Sequence, residues 1–350
     1  MESQGKMMWQ LFKNGLIVGF VINLGLMIFL AIYVLLVEIY LIRLPEPHFQ
    51  LPLKLGTVVD SRRVFSLDYP SEAVRQSWLH VQKQFDFFVI EYQLRPDSVI
   101  KKTPRLLNWC KRYQCVAHRM GYYDIRKNQF KTFTLDDWYT NKIYQSLQNV
   151  SREEKELDIF LKSLSKDSII ILSEPFSTFD RPQTLNSFWE WVLALRSNNP
   201  HLKFQIGIQI HWQWVDAFWL RNWWILPELG KFSKTQDFPW MISEFSNYDR
   251  IWKRRLRVYN PNEQIFYKIE NLVPQRLRRA VTFYGVYLIH RDAVKYGAVS
   301  FVEWGNVQST AWFVDRVDAS YDANYELFNR DGLPTAMWWA AMQGLRDGTK

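Results

Sequence analysis

The sequence predicts an α/β chain: a (β/α)8 TIM barrel, one strand short in the count, behind an N-terminal transmembrane helix. Three observations predict it. An unbroken apolar run lies near the N-terminus. From residue 53 onward, short apolar strand segments alternate with helical ones, the pattern of a parallel sheet with crossover helices. Several of those strands end in a polar or ionisable residue, and a barrel gathers all such ends at one mouth.

The apolar run reads GLIVGFVINLGLMIFLAIYVLLVEIYLI from Gly15 to Ile42, broken only by Asn23 and Glu38. It exceeds the ~20 residues that span a hydrocarbon core of about 30 Å. It is longer than a signal-peptide core, and no small-x-small cleavage site follows closely; a signal peptide is the competing reading. Glu38 lies near the outer end, where it can snorkel. Lys6 and Lys13 precede the run, which places the N-terminus in the cytoplasm and the rest on the periplasmic or extracellular side. Arg43 on the far flank weakens that bias. The expected organisation is a cytoplasmic tail at 1–14, a span at 15–42 in the lipid bilayer, a proline-rich tether at 43–52 and a barrel at 53–350.

Lys plus Arg number 44 against 35 Asp plus Glu, a net charge of +9. The basic residues cluster at Lys253-Arg254-Arg255 with Arg257, and at Arg276 with Arg278-Arg279. Both clusters fall in expected helices and read as solvated faces near an anionic membrane surface. A domain outside the cytoplasm does not meet nucleic acid. The two cysteines, Cys110 and Cys115, either close one short disulfide in an oxidising compartment or stay as thiols. Their spacing does not suit zinc. The chain holds 17 Trp, 17 Tyr and 24 Phe. Any single one is core filler first, but this density also suits stacking against sugar rings.

The strand segments in order are Leu53 to Val59, Phe85 to Glu91, Gln114 to His118, Ser168 to Leu172, Phe204 to His211, Trp240 to Ser243 and Ala298 to Val302. That makes seven. Helices are expected at Ser71 to Gln84, Thr103 to Arg112, Thr184 to Ser197, Val215 to Ser233 with an interruption near Pro227, Phe266 to His290 and Thr335 to Leu345. Leu135 to Leu164 holds further helical material. The gap in the count falls between the Thr184 helix and the Trp240 strand, where an eight-stranded barrel needs two strand–helix units.

Two strands end in Ser-Glu, giving Glu174 and Glu244. Glu91, His118, Gln209, His211 and the pair Glu303-Trp304 close other strands. Two carboxylates facing one site can cleave a glycosidic bond, one as proton donor and one as nucleophile. Strands four and seven lie across the mouth, so Glu174 and Glu244 are the expected pair. The bland alternative is that each is an ion-paired strand-end residue.

The order of these segments resembles glycoside hydrolase family 10, the endo-xylanase family of the retaining (β/α)8 clan. Phe85 to Arg95, with Glu91, resembles its second-strand motif. Val116-Ala-His118 resembles the third-strand motif with a sugar-binding histidine. Ile171-Leu-Ser173-Glu174-Pro resembles the fourth-strand motif with the acid/base. Gln209-Ile-His211 resembles the sixth-strand Gln-x-His, and Ile242-Ser-Glu244-Phe the seventh-strand nucleophile motif. Trp304-Gly305 with Trp312 keeps the spacing of the eighth-strand loop, and Leu327 to Trp338 resembles the closing segment.

The resemblance implies catalysis by Glu174 and Glu244 and sugar contacts from Glu91, His118, Ser173, Gln209, His211, Trp304 and Trp312. It implies no metal and no cofactor. Together with the apolar run at 15–42, it implies a membrane-anchored retaining glycosidase or transglycosylase acting on a β-linked polysaccharide. The chain departs from the family where Ser173, Tyr92, Arg95, Pro96, Tyr122 and Gln308 replace expected residues. Those departures keep a second reading open, a catalytically weak or inactive glycan-binding scaffold in polysaccharide synthesis or export.

Overall fold

A computed structural model of the chain describes residues 2–43, 50–60, 82–91, 114–118, 132–136, 157–173, 182–211, 221–246, 275–303, 327–328 and 334–350. Helix α1 covers Glu2–Arg43. Eight strands follow: β1 Lys54–Asp60, β2 Phe87–Glu91, β3 Gln114–His118, β4 Thr132–Asp136, β5 Ile169–Ser173, β6 Lys203–His211, β7 Trp240–Ser246 and β8 Ser300–Glu303. Each pairs in parallel with the next and β8 pairs with β1, so the sheet closes into a barrel. All eight C-terminal ends therefore open on one face.

The seven expected strands are all present, and β4 is the eighth. The gap lies before the Ile169 strand and not after it, as the sequence count had placed it. Residues 132–136 (TFTLD) border a stretch of helical spacing and carry little apolar signal of their own. They are held by pairing with β5 along the whole strand and with β3 at Ala117↔Phe133 and His118↔Thr134.

The strands are apolar on both faces, because a parallel barrel buries both. Phe87, Val89, Ile171, Met241 and Val302 fill the barrel interior. The alternate residues, among them Phe88, Ile170, Leu172, Ile242, Phe245 and Phe301, pack outward against the helices. Phe87 lies over Gly56, where an added Cβ would run into its ring. Glycine at 56 thus makes room for the bulkiest interior side chain.

The described helices are α2 at 157–163, α3 Pro182–Asn198, α4 Arg221–Gln236, α5 Gln275–Lys295 and α6 Ala336–Asp347. Helix α4 runs on through Pro227, where an interruption was expected. Thr335 caps α6, its hydroxyl accepting from the Met337 amide at 3.2 Å. Gly344 and Gly348 let α6 lie against the backbone of α5 at Tyr287 and Arg291. The expected helices at 71–84 and 103–112 lie outside the described residues, apart from a short 3-10 turn at Gln82–Gln84.

Helix α1 has one window long and apolar enough to cross a membrane, Phe12–Tyr33, with mean hydropathy 2.6 and none of it buried. The Asn23 side-chain amide donates to the Gly19 carbonyl at 2.8 Å. A polar group in that window is thus satisfied within its own helix.

Candidate functional site

The site is the mouth where the eight strands end. Register fixes which positions share its interior. In β2, Phe87 and Val89 are interior, so Glu91 holds the next inward register position. Asp60 of β1 pairs with Glu91, and Glu91 pairs with His118 of β3. These three residues form one row on adjacent strands about 4.8 Å apart. In β5, Ile171 is interior and Ser173 follows two residues on. Asp136 of β4 pairs with Ser173. In β6, Ile208 and Ile210 pack outward, which leaves Gln209 and His211 at inward register positions.

Glu244 reaches its position through a β-bulge. The β6–β7 register runs Ile208↔Ile242 and then Gln209↔Glu244, skipping Ser243. Ile242 and Phe245, three residues apart, both pack outward. The extra residue places Glu244 in register with the inward position of Gln209. Strict alternation from Ile242 would instead have assigned Glu244 to the outward face. Bulges beside active sites commonly redirect a residue in this way. Beneath the bulge, Gly207 faces Ser243 and Ile171 so closely that no Cβ fits there.

Below this polar rim the barrel is floored by Phe87, Val89, Ile171, Met241 and Val302. Such a floor excludes water under the rim and raises the strength of charge interactions above it.

Glu303, which the sequence places among the mouth residues, is directed elsewhere. Its carboxylate meets His290 Nε2 of α5 at 2.5 Å, with His290 fully buried and Glu303 2% exposed. His290 Nδ1 donates to the Val286 carbonyl at 2.7 Å, which leaves one proton to be shared between Nε2 and the carboxyl. The ring stacks on Phe301 at 4.0 Å and meets Phe245 edge-on. The Glu303 carbonyl accepts from the Thr57 hydroxyl at 3.1 Å, fastening β8 to β1. Glu303 thus seals the barrel wall from outside and is not part of the mouth.

Six of the nine predicted site residues, Glu91, His118, Ser173, Gln209, His211 and Glu244, therefore end strands at this mouth. Glu174, Trp304 and Trp312 lie outside the described residues, as does Cys110. By strand order Glu174 follows the fifth strand, because β4 is an additional one. The ordinals expected for Glu91, His118, His211 and Glu244 stand. Sequence reasoning missed Asp60 and Asp136. Each is the last residue of its strand, and Asp60 lies one residue past the expected end of β1. Among the described residues, no group of three His, Cys, Asp or Glu could hold a metal ion.

No family model matches the chain, and no curated protein matches it. Several solved structures similar to it are glycoside hydrolases. A GH10 endoxylanase from a sugarcane soil metagenome is 9% identical with TM-score 0.41, covering 83% of this chain and 96% of its own. Xylanase 10B from Thermotoga maritima is 12% identical with TM-score 0.44, covering 84% and 95%. A GH5-4 endoglucanase from Clostridum cellulovorans is 11% identical with TM-score 0.40, covering 85% and 94%. The (β/α)8 assignment rests on the strand pairing of this chain itself.

Proposed function

We propose that the chain is a membrane-anchored retaining glycoside hydrolase or transglycosylase that acts on a β-linked polysaccharide. The observation that carries this reading is the meeting of Asp60, Glu91, His118, Ser173, Gln209 and Glu244 at one barrel mouth, with a bulge serving Glu244. The order of the motifs in the sequence supplies the roles. Glu244 attacks the anomeric carbon and forms the glycosyl-enzyme. Glu174 protonates the leaving oxygen, then activates water or an acceptor hydroxyl. His211 orients Glu244. Glu91, His118 and Ser173, with Gln209, Trp304 and Trp312, hold the sugar. Helix α1 anchors the barrel in the bilayer with the N-terminus cytoplasmic.

The test is turnover of an activated aryl β-glycoside by the full chain. Glu244→Ala is expected to abolish it. Glu174→Ala is expected to slow it least on the best leaving group, which needs no protonation. Turnover unchanged by Glu244→Ala sinks the reading. One observation favours the scaffold reading, the place of Glu174 after β5, where the resemblance implies the fourth strand. In that case the native chain binds oligosaccharide and shows no turnover.

A further inference from the structure

We infer that the barrel mouth faces the bilayer, so that the site takes a glycan chain held at the membrane surface. This rests on the reading of α1 as a bilayer span and deepens the proposed function. The contacts of α5 fix its direction. Its C-terminal end lies at the closed end of the barrel, where the Trp240 indole donates to the Tyr296 carbonyl at 3.1 Å and the Val299 amide to the Trp240 carbonyl at 2.9 Å. Trp240 is the first residue of β7. Six residues earlier, about 9 Å of helix, His290 meets Glu303, the last residue of β8. Helix α5 has therefore reached the last residue of β8 by His290. Residues before it project past the strand ends on the mouth side.

Helix α1 touches α5 in that projecting part. The Tyr33 hydroxyl donates to the Ala280 carbonyl at 3.2 Å, and its ring meets Tyr284 edge-on at 6.4 Å. Ala280 precedes His290 by ten residues, about 15 Å of helix. The chain must then travel from Tyr33, on the mouth side, to Lys54 at the opposite end of the barrel, where it pairs with Ser300. Tyr33 closes the exposed apolar window of α1, so that window meets the barrel at the mouth-side part of α5.

The contact also sets the membrane boundary. With a span from 15 to 42, Tyr33 would lie about 14 Å below the outer surface, near the middle of the hydrocarbon. The start of α5, whose sequence holds Arg276, Arg278 and Arg279, would then sit in hydrocarbon, where arginine is costly. A span ending at Tyr33 avoids this. The window Phe12–Tyr33 has 22 residues. It is about 33 Å long, which fits the ~30 Å core. The first turn of α5 has no acidic residue. The start of α5 then falls at the level of the anionic headgroups, which favour a basic sequence.

The experiment uses the full chain in vesicles containing anionic phospholipid. A fluorescent amino acid replaces Tyr284 or, in a second preparation, Lys295, both of which are exposed. The two positions are about 16 Å apart along α5, so a quencher carried on lipid headgroups is expected to act roughly threefold or more strongly at 284. Equal quenching, or stronger quenching at 295, overturns the orientation. Flotation of each preparation tests the span separately: a chain that does not float overturns the span and the orientation together. A photo-crosslinking residue at Tyr33 gives a measurement that leaves Tyr284 intact. Capture of the peptide holding residues 280–284 is expected, and capture elsewhere or none overturns the docking. Aryl glycoside turnover in the same vesicles is read in parallel, so a missing activity is told apart from a wrong orientation.

Discussion

Replacing Gly207 by alanine tests the link between barrel packing and the site. A Cβ there would stand 2.7 Å from Ser243 Cβ, 2.9 Å from Ile171 Cγ2 and 2.9 Å from Ser243 Oγ. All three are well inside ordinary van der Waals contact of 3.5–4.0 Å. Ile171 belongs to the interior floor, and Ser243 is the residue that the β6–β7 register skips. Neither can retreat without moving a strand. Overpacking of this kind costs about 1–3 kcal/mol, a factor of roughly 5–150 in the folding constant. The displaced residue adjoins Glu244, so turnover is expected to fall further than stability alone explains. The assay is urea denaturation together with aryl glycoside kinetics on the folded fraction. Ser243→Gly, measured alone and with Gly207→Ala, completes a double-mutant cycle. The double variant is expected to regain most of the stability that Gly207→Ala loses. No loss in Gly207→Ala, or no coupling in the cycle, would refute the packing argument.

Two further predictions concern the helix layer. Glu303→Ala leaves His290 buried without its partner, and removing one member of a buried pair costs about 3–5 kcal/mol. Glu303→Gln, whose amide can still donate to Nε2, should lose far less in a thermal or urea melt and should keep its turnover. A large fall in turnover in folded Glu303→Gln would show that the residue serves the mouth after all. Burial pushes the Asp347 carboxyl up, but hydrogen bonds from Lys350, Gln343 and Tyr287 outweigh it and hold it below its ordinary value. A carboxyl lowered on folding contributes its full stability above the unfolded pKa and loses it as pH falls through the folded one. Asp347→Asn is therefore expected to narrow the gap to the native chain between pH 7 and pH 3 in denaturation midpoints. A gap that widens on acidification contradicts this.

The fold was legible wherever a strand is apolar on both faces. FFVIE, IIILS and FQIGIQIH read as buried strands and are so. TFTLD did not, because two threonines and a terminal aspartate give five residues no more strand signal than a loop, and neighbouring Leu135 continues a helical pattern. Its strand character comes from β3 and β5, which local sequence does not contain. The mouth residues were legible as polar strand ends. Their facing was not. With both faces of β8 apolar, nothing in Ser300-Phe301-Val302-Glu303 says which face is the barrel interior, and only His290 reveals that Glu303 points out. The bulge at Ser243 was equally hidden, since it appears only when Ile242 and Phe245 are both seen packed outward.

The recount of strands changes what the proposed pair of glutamates requires. Glu174 follows β5 and Glu244 lies on β7, with only β6 between them. Neighbouring strands are about 4.8 Å apart, so backbones two strands apart are roughly 9–10 Å apart along the sheet, against about 14 Å for three. A retaining pair needs carboxyls about 5–5.5 Å apart, and an inverting pair about 6.5–9.5 Å. The proposed Glu174–Glu244 pair would therefore have to span two strands and not three. This order also makes β6 the strand between them, and β6 carries Gln209 and His211 at inward register positions. The additional fourth strand thus moves the strand that Glu174 follows in sequence one place round the ring from where the resemblance implies it.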